Sequence, residues 1–126
     1  MDKTVQAAAV QFNISLGDVD ANLAKVEGAL HRVKARAAQL AVLPEMWSAG
    51  YDYKRLARHA EETPRVVEAI VRRSAELELV VVGSLPELDN GKIFNTAYVI
   101  DRGVLVGSYR KLHMSSPMVE NMCSFR

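Results

Sequence analysis

Apolar and polar positions along the first third of the chain predict a strand, a turn and a helix. The mostly apolar run Val5–Phe12 is typical of a buried strand. The polar segment after it contains Asp18 and Asp20, either of which is suited to cap a helix N-terminus. Apolar residues then recur at helical spacing and define one buried stripe. No glycine closes this helix, which is expected to end near Ala38.

The middle of the chain repeats this order of elements. A second apolar strand at Leu40–Leu43 stops at Pro44, which cannot donate a ladder hydrogen bond. Thr63 followed by Pro64 predicts a helix start, with a capping hydroxyl and proline at the first helical position. The segment Leu79–Leu85 shows little alternation, which indicates a strand covered on both faces.

The last part of the pattern predicts antiparallel strands. Asn90-Gly91 is a hairpin signal because both residues tolerate positive φ. It is followed by predicted strands at Phe94–Ile100 and Val104–Tyr109. Strands joined by helices pair in parallel through right-handed crossovers. The fold class predicted is therefore α/β, with a mixed, mostly buried sheet and helices packed on it.

Composition narrows the classes of protein that fit. The chain has 126 residues, which suits one domain, and 49% of them are hydrophobic, so a globular core is expected. The formal net charge of +1, without a block of like charges, argues against nucleic acid or an anionic membrane as partner. The opening MDKTVQAAAVQF has no basic segment followed by a long apolar core, and no apolar run is long enough to span a bilayer, so neither a targeting signal nor a membrane span is expected. The single cysteine, Cys123, excludes an internal disulfide, and a cytoplasmic location is expected.

Two charged residues near predicted strand ends are the candidates for chemistry. Glu45 follows the strand at Leu40–Leu43, and Lys111 follows the strand at Val104–Tyr109. Open α/β sheets place their sites at such ends. There a carboxylate can take a proton and an ammonium can stabilise a developing oxyanion. By spacing alone, a loop acceptor and a surface cation are the favoured interpretation, because glutamate and lysine are common residues. No set of histidines or acids has metal-ligand spacing.

The sequence motifs around Glu45 and Lys111 are more specific than the spacing of these two residues. LAVLPEMWSAGY resembles the first signature of the nitrilase, or carbon–nitrogen hydrolase, superfamily, and FNTAYVIDRGVLVGSYRKLHMSSPMVE resembles the second. The opening QFNISLGDVDANLAKV is similar to that family's first strand, loop and helix. The likeness runs from about Val5 to Glu120 and is strongest to the omega-amidase or aliphatic amidase branches.

The resemblance implies an αββα sandwich, of which this chain is the front portion, and a Glu-Lys-Cys triad. Glu45 would be the general base that activates the thiol, and Lys111 would stabilise the oxyanion. The implied reaction is hydrolysis of a non-peptide carbon–nitrogen bond in a small amide, carbamoyl or nitrile compound, without cofactor or metal. Homo-oligomers are expected for full-length members.

Other residues keep two interpretations each. Glu120 falls where the family often has a second glutamate that orients the lysine, although a solvated acid fits as well. Tyr51 and Trp47 either line the pocket entrance or pack against the first helix layer. Asn95 is expected to secure backbone at a strand start and not to touch substrate.

The nucleophile is missing from the family-like part of the chain. Cys123 lies twelve positions after Lys111, in NMCSFR, without a preceding strand or the family's cysteine motif. It is therefore not expected to be the nucleophile. Residues 1–126 are interpreted as one incomplete domain, family-like to about 120, with a divergent tail at 121–126. The chain alone is then expected to be inactive. The alternatives are a catalytically dead binding or assembly domain, or an unstable product of a truncated gene.

Overall fold

A computed structural model of the protein describes residues 4–113. These residues form one mixed sheet and two long helices, in the order predicted from the sequence. The elements are β1 (Ala7–Ala9), α1 (Val19–Ala35), β2 (Leu40–Val42), α2 (Leu56–Leu77), β3 (Val80–Asp89), β4 (Lys92–Asp101) and β5 (Val104–His113), with a short 3-10 turn at Tyr53–Arg55.

The five strands lie in the spatial order β1-β2-β3-β4-β5. β1, β2 and β3 pair in parallel, whereas β4 and β5 are added as antiparallel neighbours. The predicted mixed α/β sheet is thereby confirmed. The hairpin between β3 and β4 turns at Asn90 and Gly91, whose φ angles of 51° and 76° are the positive values that the sequence signal required.

Helix α1 begins where an acidic side chain caps it. Asp18 accepts a hydrogen bond from the backbone amide of Ala21 at 3.1 Å, which decides between the two caps proposed. The helix ends at Ala35. In the absence of a glycine, Ala37 takes the left-handed conformation after it, with φ of 60°.

The helix start predicted at Thr63 and Pro64 is wrong. Helix α2 begins at Leu56, so both residues lie inside it, and the Thr63 hydroxyl donates to the Pro86 carbonyl at 2.5 Å instead of capping. A proline at this point removes one helical hydrogen bond. The loss is offset because a buried stripe already begins upstream of the proline. Its members at helical spacing are Leu56, Ala60, Thr63, Val66 and Ile70.

The helices cover one face of the sheet. On that face Ala41, Val81 and Ile100 are at most 3% exposed and share a core with residues of both helices. Alternate strand residues point to the other face. There the paired row Ala9, Val42, Val82 and Val99 is apolar, and Val42 is 42% exposed.

Two strand predictions need correction. The first strand is three residues long, not 5–12, and it is an edge strand whose Ala7 and Ala9 are exposed, not buried. Among residues 4–113 it pairs with β2 alone, so one side of it has no strand neighbour in this part of the chain. The segment at 79–85, expected to be covered on both faces, is buried on the helix side and half-buried at Val80 and Val82.

Candidate active site

Glu45 lies in the tight loop that leaves β2. The next residue, Met46, is fully buried and has φ of 51°, a left-handed conformation that non-glycine residues rarely adopt. The buried hydroxyl of Ser84 on β3 accepts the Met46 amide hydrogen at 2.9 Å. The Trp47 amide donates to the Ser84 carbonyl at 3.4 Å. The loop that presents Glu45 is therefore tied to the adjacent strand.

Lys111 lies within β5 and not after it, which corrects the prediction from the sequence. Asn95 pairs with Leu112, and Thr96 pairs with Arg110, so Lys111 is the extra residue of a β-bulge. A bulge of this kind redirects the side chain that it inserts. It gives Lys111 a direction that regular strand alternation would not supply.

Glu45 and Lys111 meet although they are 66 residues apart in sequence. β5 is antiparallel to β4, and β4 is antiparallel to β3, so β5 runs in the same direction as β2 and β3. The carboxyl ends of β2 and β5 therefore reach the same edge of the sheet. There Lys111 Nζ donates to Glu45 Oε1 at 2.7 Å. The two side chains remain accessible, at 39% and 48% exposure.

The contacts of Glu45 favour its ionised form. The hydrogen bond from Lys111 lowers the pKa of the Glu45 carboxyl below its ordinary value, against the opposing effect of partial burial. Hydrogen bonds from Asn95 and Tyr51 and the positive charge of Lys111 act in the same direction as the first bond. At neutral pH the group is thus a carboxylate, which is the form that a general base requires.

Tyr51 belongs to the same cluster. Its half-buried hydroxyl is hydrogen-bonded to Glu45. Burial, together with the adjacent carboxylate, raises the pKa of Tyr51 to about 12, so the phenol stays neutral and can donate. Trp47, by contrast, is 1% exposed and packs in the main core. This residue therefore has a packing role and does not line the pocket entrance.

The contact between Asn95 and Glu45 was not predicted from the sequence. The Asn95 amide Nδ2 donates to Glu45 Oε1 at 2.8 Å, the same oxygen that Lys111 contacts. The residue is 1% exposed and lies on β4, so it holds a side chain and not the backbone of a strand start. The only indication in the sequence was that Asn95 lies, directly before Thr96, within the segment FNTAYVIDRGVLVGSYRKLHMSSPMVE that also contains Lys111.

Two further candidates, Glu120 and Cys123, fall outside the described residues. Among residues 4–113, no three His, Cys, Asp or Glu side chains converge as metal ligands. His59 is buried instead against Asp52, with Nε2 2.9 Å from Oδ2. No helix in the described part of the chain is long and apolar enough to cross a bilayer.

Known proteins resemble this chain over nearly its whole length. The model of the carbon-nitrogen hydrolase family matches residues 6–124. The 2-oxoglutaramate amidase of Bacillus subtilis is 33% identical over 116 residues, which are 90% of this chain and 44% of that protein. The omega-amidase NIT2 of Bos taurus is 29% identical over 126 residues, with 98% of this chain and 45% of that protein covered.

Solved structures agree on the fold. An amidase from Nesterenkonia sp. superposes with a TM-score of 0.80 at 25% identity, covering 97% of this chain and 47% of that one. The chain belongs to the carbon–nitrogen hydrolase family. It spans less than half of the length of the curated relatives that it matches.

Proposed function

We propose that this chain supplies the Glu-Lys part of a site that hydrolyses a non-peptide carbon–nitrogen bond. Glu45 is the general base, and Lys111 is the donor to the oxyanion. The observation that carries the proposal is the 2.7 Å contact between Lys111 Nζ and Glu45 Oε1 at an accessible sheet edge. Membership of the carbon–nitrogen hydrolase family supports the reaction class.

The geometry suits an acyl-transfer sequence. The Glu45 carboxylate accepts the proton of an attacking thiol and delivers it to the departing amine, so the thiolate forms only as the carbon–sulfur bond is made. The carbonyl oxygen gains negative charge in that step. The bond to Glu45 occupies one N–H of the Lys111 ammonium, and the remaining hydrogens can donate to this oxygen.

The proposed nucleophile is a cysteine other than Cys123. The described residues contain no cysteine, and Cys123 lies outside them without the sequence context of a fixed strand end. Since the chain spans less than half of its curated relatives, we propose that residues 1–126 alone turn over no substrate.

The names of the relatives support a substrate class. The Bacillus subtilis relative is a 2-oxoglutaramate amidase, and the bovine relative is an omega-amidase. We therefore propose a small amide, of which the ω-amide of a dicarboxylic acid is the first to test.

A catalytically inactive binding or assembly domain is the second candidate. The open apolar row of Ala9, Val42, Val82 and Val99 favours it, because an apolar sheet face of this kind is usually covered. The first candidate explains the Glu45 cluster, which the second leaves without a purpose.

A hybrid enzyme tests the first candidate. Residues 1–113 replace the matching portion of the Bacillus subtilis amidase, and ammonia release from 2-oxoglutaramate is measured. Glu45→Gln and Lys111→Met should each lower kcat by a factor of about 100–1000. Glu87→Gln is the matched control, since this carboxylate also bonds a cation, Arg110, but lies on the face of the sheet that the helices cover, opposite to Asn95. Full activity of the Glu45→Gln hybrid would refute the proposal.

A further inference from the structure

Two consecutive residues of β4 each donate a hydrogen bond to a carboxylate on opposite faces of the sheet. Asn95 Nδ2 contacts Glu45 Oε1 at 2.8 Å, and Thr96 Oγ1 contacts Glu87 Oε1 at 2.8 Å. Asn95 and Thr96 are at most 1% exposed. Only the first pair lies at the candidate active site, so Thr96 provides an internal comparison.

The Asn95 amide has one satisfied end and one unsatisfied end. A carboxylate oxygen can only accept, so the NH2 end of the amide must face Glu45. Asn95 Oδ1 then points elsewhere, and it is buried without a hydrogen-bond partner among the described residues. A buried acceptor without a donor destabilises the folded state. A side chain of similar size without polar atoms would avoid that penalty, so packing alone does not account for asparagine here.

The two donors on Glu45 Oε1 differ in rigidity. Lys111 reaches the oxygen through a flexible four-carbon stem and is 39% exposed. Asn95 is enclosed in the interior of β4, between two strand neighbours, and has little freedom to move. The Glu45 side chain is 48% exposed and lies in the loop that leaves β2. The position of the Glu45 carboxylate is therefore set by Asn95 and not by Lys111.

We propose that Asn95 is a positioning residue that fixes the orientation and the ionised state of the Glu45 carboxylate. The inference rests on the proposed function in so far as Glu45 acts as a base, and it assigns the task of holding that base to a residue on a third strand. Lys111 is thereby left to turn toward the oxyanion during the reaction without releasing Glu45 from its place.

The test uses the full 126-residue chain, with the glutamate side-chain carboxyls labelled with carbon-13 and titrated by NMR. Asn95→Ala and Asn95→Leu both remove the donor, and Leu preserves much of the volume. In each variant the pKa of Glu45 should rise toward the ordinary value of a glutamate, because a hydrogen bond to the charged form has been lost. Asn95→Leu should also unfold at a urea concentration close to that of the parent chain, since the unpartnered acceptor is lost with the donor.

Thr96→Val is the matched control. It removes the hydroxyl that donates to Glu87, so the pKa of Glu87 should rise while that of Glu45 stays unchanged. This pattern separates a local hydrogen-bond effect from a general loosening of β4.

Two results would overturn the inference. One is an unchanged Glu45 titration in a folded Asn95→Leu chain. The other is loss of folding in both Asn95 variants, which would make the residue a structural link only. Neither result bears on the hybrid assay, in which an active Glu45→Gln enzyme would remove the proposed function and leave the titration result standing.

Discussion

The hydroxyl of Ser84 controls the loop that presents Glu45, and Ser84→Ala is expected to destabilise the protein. The hydroxyl accepts the amide hydrogen of Met46 at 2.9 Å, and Ser84 and Met46 are 3% and 0% exposed. Alanine leaves that amide buried without a partner, at a cost of about 1–3 kcal/mol. The backbone contact from Trp47 to the Ser84 carbonyl does not involve the side chain, so it is retained.

The chain contains a matched control for this substitution. Ser48 is 1% exposed, and its hydroxyl has no hydrogen-bond partner among the described residues. Ser48→Ala therefore removes an unpaired polar atom from a buried place, and it should be neutral or mildly stabilising. Both substitutions remove a buried hydroxyl oxygen, but only Ser84→Ala breaks a hydrogen bond.

Urea unfolding followed by circular dichroism measures the difference. With a slope of about 1–2 kcal/mol per molar urea, a loss of about 2 kcal/mol lowers the midpoint by about 1–2 M. Ser84→Ala should show that change, whereas Ser48→Ala should leave the midpoint in place or raise it. Equal midpoints for the two variants would refute the reasoning, because burial and not the Met46 bond would then explain the serine.

Two further outcomes follow from the geometry. Gly17 and Gly91 have positive φ angles of 73° and 76°, but a Cβ on Gly17 would lie 2.7 Å from Asp52 Oδ2, whereas one on Gly91 meets nothing within 4 Å. A Cβ on Gly17 would displace Asp52 Oδ2 from its 2.9 Å contact with the buried His59 Nε2. Gly17→Ala should therefore lower the free energy of unfolding by more than the backbone cost of about 1–2 kcal/mol that both substitutions share, and equal losses would contradict this. The lowered pKa of Glu45 means that its pairing stabilises the fold above the unfolded-state pKa and that this contribution is lost as the pH falls through the folded-state value. The midpoint difference between the parent chain and Lys111→Met should accordingly shrink below about pH 4, and a constant difference from pH 7 to pH 3 would oppose the assignment.

The order of the elements could be predicted from the sequence because local signals agree with the tertiary pairing. The hydrophobic runs of β2 and β3 are bounded by Pro44 and by Asn90-Gly91, where backbone chemistry leaves few choices. The α2 start was mispredicted because a strong local signal, Thr63-Pro64, lies within a longer buried stripe. Tertiary packing of that stripe outweighs one missing helical hydrogen bond.

The candidate site was predicted only in part. Glu45 and Lys111 were identified by their motifs, and the structure brings them into contact. The bulge at Lys111 and the donor at Asn95 were missed, because each depends on the register between β4 and β5. A shift of one residue in that register changes which face a side chain occupies, and no local pattern in the sequence specifies it.

Because Glu45 and Lys111 are 66 residues apart in sequence, their contact forms late in the synthesis of the chain. The parallel strands and both helices are complete once about residue 89 has been added, but the lysine arrives on the last strand of the sheet. Closing a loop of 66 residues is entropically unfavourable until the hairpins have formed. A ribosome-bound chain would therefore acquire its helical layer first, and its paired charges would come together only after β5 had joined the sheet.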